Sequence, residues 1–329
     1  MVVEVLVLGV LAAVSVRNLD FQEIRGYARE IRLPVVLPIL GFQLGVLVLG
    51  AAQWHLFVSQ SQVRVGFFTV LRARVSGFAV SYITPSVLLG GEAARVVLLR
   101  DRSRSLAGLF AAVTVDKYVE LFTKILFVAV GFSLAMTRMT LQAFVVVGGA
   151  VLLLSIGLSL YGLVRVFNSE TFLSGFVRMT LRPVARWRPG LVRRIVSGTR
   201  IFERSVRRTV SDRRLFYAAV GFGLAVGFTE VLEVYYILTL LGHYVFVDSF
   251  TIFSGALIVA LLNLIRGNIG GMEAGHGFVF RLLAIGANKG VVCALLIRMG
   301  QLSFVGVGLV NLLASQFFRR RESLTDDHG

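Results

Sequence analysis

The chain has 329 residues, 56% of them hydrophobic, and a formal charge of +16 from 34 basic and 18 acidic side chains. With a mean hydropathy of +0.81, this is the composition of a polytopic membrane protein, with little room for a separate soluble domain. The positive charge lies between apolar stretches, which fits cytoplasmic loops facing anionic headgroups better than a nucleic-acid surface.

A spanning helix needs about 20 mostly apolar residues. The segments that approach this run over 2–16, 34–58, 66–91, 106–136, 141–165, 215–241, 249–265, 268–285 and 291–317. The first is short and has no basic flank or cleavage site, so it reads as a membrane segment rather than a signal peptide. Residues 17–33 mix both charges, with Arg17, Asp20, Glu23, Arg25, Arg29, Glu30 and Arg32, and suit an interfacial helix ending at Pro34. Gly41 and Gly45 form a GxxxG pair, which lets helices approach closely.

Residues 166–214 are polar and rich in arginine, from Arg178 to Arg214, with Leu181, Val184, Trp187, Leu191, Ile195 and Phe202 interleaved. Such a pattern predicts amphipathic helices on the inner leaflet, serving as a topology anchor. It divides one membrane domain, residues 1–329, into halves of about 34–165 and 215–317. If this stretch is cytoplasmic, so are Arg95, Arg100, Arg102, Arg104 and the tail Arg319-Arg320-Arg321. Residues 242–248 carry no Lys or Arg and belong outside.

Counting crossings from there, 66–91 starts and finishes near the cytoplasm as a re-entrant hairpin. By the same count, 249–285 dips in from the outer side. The expected fold class is therefore an all-α integral membrane protein of about six spanning helices plus two re-entrant hairpins, arranged as an inverted repeat. Each hairpin contains a glycine-glutamate break. One is Thr84-Pro85-Ser86 followed by Gly90-Gly91-Glu92 and Arg95; the other is Arg266-Gly267-Asn268 followed by Gly270-Gly271-Met272-Glu273. Broken backbone at membrane depth is tolerated where protein or a water-filled cavity covers it, and matching breaks in two halves point to a transport path.

Ionisable residues inside apolar segments are costly unless they meet a partner or water. Glu92 and Arg95 share a helical face and can pair, or Arg95 can hold a phosphate in bidentate fashion. Asp116, Lys117, Glu120 and Lys124 form one stripe, read as a polar wall of the substrate path. Glu230 and Glu233, one turn apart, need partners from elsewhere, and Arg266 and Arg298 are the expected ones. Two close carboxylates resist being ionised together, which suits a proton-coupled step. His276 lies three residues from Glu273, but His55, His243, His276 and His328 form no ligand-spaced pair, so no metal is expected. Cys293 is the single cysteine, which rules out an internal disulfide. No catalytic constellation and no phosphate-binding Walker loop is present, so no cofactor is expected.

The series Pro85…Gly90-Gly91-Glu92…Arg95, Asp116-Lys117-Tyr118-Val119-Glu120, Gly270-Gly271-Met272-Glu273 and Arg298 resembles the flippase-like membrane domain of lysylphosphatidylglycerol synthases. The resemblance covers nearly the whole chain in the right order. Asp116-Lys117 stands where Glu-Arg is usual, Glu120 replaces Asp, and Arg266 falls near the place of a frequent proline. The aminoacyl-transferring soluble domain of full-length synthases has no counterpart in these residues, so the resemblance implies the lipid-translocating half alone.

The resulting expectation is a lipid flippase or transporter of the cell membrane, not an enzyme. It would move a phospholipid or lipid-linked headgroup between leaflets, using Pro85, Gly90, Gly91, Glu92, Arg95, Asp116, Lys117, Glu120, Glu230, Glu233, Arg266, Gly270, Gly271, Glu273 and Arg298. Its partners would be anionic or phosphate-bearing membrane lipids, with a second copy or a partner synthase as further candidates. The alternatives are a membrane-embedded enzyme or accessory subunit acting on polyprenyl or phospholipid headgroups.

Overall fold

The computed structural model describes residues 22, 26, 33–60, 65–84, 90–103, 105–138, 157, 172–182, 189–262 and 271–326. Among the described residues every regular element is helical. In hydrocarbon no water satisfies backbone N–H and C=O groups, so a spanning segment must close its own hydrogen bonds. The helices are α1 Leu33–Gln60, α2 Phe67–Ile83, α3 Gly90–Leu99, α4 Leu106–Arg138, α5 Phe172–Thr180, α6 Pro189–Ser211, α7 Arg213–Leu240, α8 Phe246–Leu262, α9 Gly271–Leu282 and α10 Ala287–Asp326. Four are long and apolar enough to cross a bilayer: α1, α4 to Met136, α7, and α10 to Ser315. The protein is an all-α membrane protein. The other two expected spans, 2–16 and 141–165, lie outside the described residues, apart from Gly157, as do most of 17–32, residues 85–89 with Pro85, and 263–270 with Arg266 and Gly270.

The helices repeat. First residues 33 and 213, 67 and 246, 90 and 271, and 106 and 287 are separated by 180, 179, 181 and 181 positions, so α1–α4 recur as α7–α10. Contacts fix the relative directions. The Tyr236 hydroxyl donates to the Val35 carbonyl at 3.3 Å, Gln43 meets Glu233, and Gly223 packs beside Gln53. As α1 is followed forward, its partners on α7 run backward, so these equivalent helices are antiparallel and the repeat is inverted. Thr123 against Gly223 and Phe127 against Gly227 show α4 running parallel to α7.

These directions place the end of α1, the start of α4 and the start of α7 at one face. The hairpin α2–α3 begins and ends there, folding back where Gly77 and Gly91 of its two legs meet. The hairpin α8–α9 begins and ends at the opposite face. Its legs touch at Gly255 and Val279, residues equidistant from position 267. Each hairpin also packs on the long helix of the other repeat. A Cβ on Gly308 of α10 would collide with the Val75 carbonyl of α2, and one on Gly131 of α4 with the Phe250 carbonyl of α8. Only glycine permits backbones that close.

Two sequence expectations need correction. The first hairpin does not end at 91: its return leg is α3, running to Leu99, so Arg95 is buried within it and does not join the surface cluster of Arg100 and Arg102. The amphipathic helix α6 does not rest its whole apolar face on lipid. Phe202 and Val206 pack with Leu99, Leu109 and Val113, leaving Arg193, Arg200, Arg204 and Arg208 exposed. The buried apolar side chains available on α4 outcompete acyl chains for that stripe.

Candidate functional site

The densest polar cluster is built where the first hairpin meets α4. Asp116 is on the face of α4 turned towards α1, α2 and α3, and it is wholly buried. Its Oδ2 accepts from Arg74 Nη1 at 3.1 Å and from Arg95 Nη1 at 3.3 Å, while its Oδ1 accepts from Gln53 Nε2 at 2.9 Å. One carboxylate thus gathers two guanidinium groups from the two legs of a hairpin and an amide from α1. The Arg95 guanidinium also lies over the Trp54 ring, 5.5 Å from its centroid, a cation–π contact. Its Nε finds no hydrogen-bond partner.

From Asp116 the charges continue along α4 at helical spacing. Glu120 receives Arg74 Nη2 at 3.8 Å, Lys117 at 3.3 Å and Lys124 at 3.5 Å. Lys117 reaches on to Glu92 in the first turn of α3 at 3.7 Å, and Lys124 to Glu230 of α7 at 3.4 Å. The connected set holds four cations (Arg74, Arg95, Lys117, Lys124) and four carboxylates (Glu92, Asp116, Glu120, Glu230), so it is neutral as a whole. Neutrality is what membrane depth demands, because one such charge alone costs about 2.5–3.5 kcal/mol on insertion scales. Exposure is graded: Asp116 has none, whereas the Lys117 side chain retains 36%. The cluster therefore has a sealed end and an accessible end.

A second, smaller group lies on the other repeat. Arg298 of α10 grips Glu273 of α9 with Nε to Oε1 at 2.9 Å and Nη2 to Oε2 at 3.1 Å. The Tyr82 phenol, at the end of α2, is within electrostatic reach of both, with Arg298 its nearest partner. Between the groups, Gln43 Nε2 of α1 donates to Glu233 Oε1 of α7 at 2.6 Å.

The expected partnerships are redistributed. Glu92 and Arg95 do not pair with each other; each turns to α4. Arg298 serves Glu273 rather than Glu230 or Glu233, because α10 and α9 form one hairpin-and-helix unit. Glu230 takes Lys124, and Glu233 takes an amide instead of a cation. Gly90, Gly91 and Gly271 begin the return helices α3 and α9. His276 Nδ1 donates to the Met272 carbonyl of its own helix at 2.9 Å. Sequence reasoning missed Arg74, Gln53, Gln43 and Tyr82. Arg74 carried a signal, since it lies seven residues inside an apolar helix rather than at its edge.

Residues 1–308 match the family model of the lysylphosphatidylglycerol synthase TM region. Among curated proteins the chain is similar to a UPF0104 membrane protein of Pyrococcus horikoshii, 23% identical over 288 residues that make up 82% of each chain. It is also similar to a UPF0104 membrane protein of Methanothermobacter thermautotrophicus, 22% identical over 321 residues, 95% of this chain and 94% of the relative. No solved structure matches the chain.

Proposed function

The chain belongs to the lysylphosphatidylglycerol synthase transmembrane-region family, and from this we propose that it carries a phospholipid or lipid-linked headgroup between membrane leaflets. The observation that supports the reading most is the convergence of Arg74 and Arg95 on the single buried oxygen of Asp116, beside the accessible Lys117. Guanidinium groups suit a phosphate in the same bidentate manner as a carboxylate. A lipid phosphate entering past Lys117 competes with Glu92, Glu120 and Asp116 for the same donors. It shifts the protein between states only by binding one better than the other.

The face that carries Arg100, Arg102 and the arginines of α6 is cytoplasmic in this reading, under the positive-inside rule. We read the protein as a carrier without catalysis of its own, because each carboxylate of the network is held by a cation and none is poised as a base. The transport is passive or ion-coupled, with no nucleotide-binding motif in the sequence to drive it.

The test is reconstitution in phosphatidylcholine–phosphatidylglycerol vesicles with a fluorescent phosphatidylglycerol, quenched from outside by dithionite. The quenched fraction should rise from about half towards completeness in protein-bearing vesicles as inner-leaflet lipid is exchanged, and Arg95→Ala should slow it. Quenching equal to that of protein-free vesicles would overturn the reading.

A further inference from the structure

Glu92 is the third residue of α3, and Glu273 is the third residue of α9. Lys117 and Arg298 are each the twelfth residue of the long helix that follows. Each carboxylate therefore precedes its cation by 25 positions, and in both repeats the two are joined, at 3.7 Å and 2.9 Å. The inverted repeat has produced the same ion pair twice. Each pair fastens the return leg of a hairpin to its long helix.

Depth follows from helix geometry. Lys117 and Arg298 stand 11 residues into helices that start at opposite faces, so each lies about 16 Å from its own face at 1.5 Å per residue. In a hydrocarbon core about 30 Å thick, both pairs sit near the midplane, reached from opposite sides. Their surroundings differ. At the same offset of 181, Arg95 corresponds to His276 and Asp116 to Ile297, so the second repeat keeps the fastening pair and lacks the buried guanidinium pair. The Glu273–Arg298 contact is therefore not a by-product of the Asp116 network.

Either pair can open without stranding a charge. Glu92 and Glu273 occupy the first turns of their helices, where the helix dipole and free N–H groups favour a carboxylate. A further polar group stands close to each: the unpartnered Arg95 Nε–H, one turn from Glu92, and the Tyr82 hydroxyl near Glu273 and Arg298. Arg298 is then available to a phosphate, and Lys117 meets one in competition with Glu120 alone, 3.3 Å away.

We propose that Glu92–Lys117 and Glu273–Arg298 are twin latches, one closing each face, and that a lipid phosphate crosses the midplane by passing from one cation to the other. The handover rests on the lipid-carrier reading; the latches do not.

The experiment uses the full chain with Cys293→Ala and a cysteine at Val96 or Ala274, positions buried in α3 and α9. A membrane-impermeant thiol reagent is applied to either face of vesicles. Glu92→Gln should raise labelling at 96 about tenfold from the arginine-rich face alone, and Glu273→Gln at 274 from the opposite face alone, as local opening of one hairpin requires. Both variants acting on both faces, or neither acting, would overturn the latches. Lys117→Ala and Arg298→Ala should each slow transfer of fluorescent phosphatidylglycerol about tenfold. Since sequential steps add their times, the double variant should be at most about twofold slower than the slower single variant. A multiplicative loss would overturn the handover. Lys117→Arg and Arg298→Lys should keep transfer, which separates loss of charge from loss of fold. A wild-type protein that moves no lipid ends the handover together with the carrier reading, while the labelling still decides the latches.

Discussion

The guanidinium of Arg74 crosses α1 at Gly50, where a Cβ would stand 2.6 Å from its Nε. The absence of a side chain on one spanning helix is thus what lets an arginine of the hairpin reach Asp116 on another. Gly50→Ala forces Arg74 aside and leaves Asp116 with one guanidinium instead of two. Breaking a buried pair costs about 3–5 kcal/mol, of which a displaced but tethered arginine recovers part. The variant should unfold at a clearly lower temperature in detergent. Gly41→Ala on the same helix, which has open space around its Cβ, should leave the unfolding temperature unchanged.

Asp116→Asn removes the charge that holds Arg74 and Arg95 together. Two guanidinium groups then face each other in a buried site with Glu120, 3.8 Å from Arg74, as the nearest remaining counter-charge, and like charges at such range repel strongly in a low dielectric. Asp116→Asn should be the most destabilising single substitution among the carboxylates of the site, lowering yield and unfolding temperature more than Glu273→Gln. Restoration of stability by Asp116→Asn combined with Arg74→Gln, relative to Asp116→Asn alone, would show that the excess positive charge is the cause.

Glu230 and Glu233 lie one turn apart and should respond in opposite ways. Glu233 faces the amide of Gln43, and glutamine keeps that hydrogen bond by flipping its own amide, so Glu233→Gln should fold at least as well as the parent. Glu230 shares Lys124 with Glu120. Glu230→Gln leaves the network with one cation in excess and should destabilise by about 1–3 kcal/mol. Thermal unfolding of the two variants side by side checks the contrast. Equal losses would mean that Glu233 carries a charge balanced by a cation.

The sequence revealed the hairpins because glycine next to glutamate in hydrocarbon has few structural explanations. That α4 and α7 start at the same face, whichever side that is, followed from where arginines cluster. Pairings were harder to read. Lys124 and Glu230 are 106 positions apart, and nothing in either segment says that α4 and α7 run parallel with these residues level. Arg74 lies inside the apolar run that starts near 66, which signals burial, but nothing in that run names Asp116 as its partner. The apolar stripe of α6 was visible, but periodicity does not distinguish a lipid surface from Leu109 and Val113 as its partner. The equivalence of Glu92–Lys117 and Glu273–Arg298 escaped notice because the surrounding residues have diverged, from Arg95 to His276 and from Asp116 to Ile297. The residue numbers at which the equivalent helices start make the shared offset evident.

The inverted arrangement makes a strict prediction about sidedness. Ser103, between the first hairpin and α4, and Asp212, before α7, lie at the same face. His243, between α7 and α8, lies at the other, because α7 crosses once between positions 212 and 243. Single cysteines at these positions, in a Cys293→Ala background, should be labelled by an impermeant reagent as two groups. Positions 103 and 212 react together and 243 reacts from the opposite side, with 103 and 212 cytoplasmic under the positive-inside rule. His243 donates or accepts at 2.6 Å with Asp248, so its replacement tests the loop more than the core, and Tyr244→Cys, an exposed neighbour, serves as a second reporter. Labelling of 103 and 212 from different faces would mean that α4 and α7 start at opposite faces, and the parallel contacts of Thr123 with Gly223 and Phe127 with Gly227 could not form.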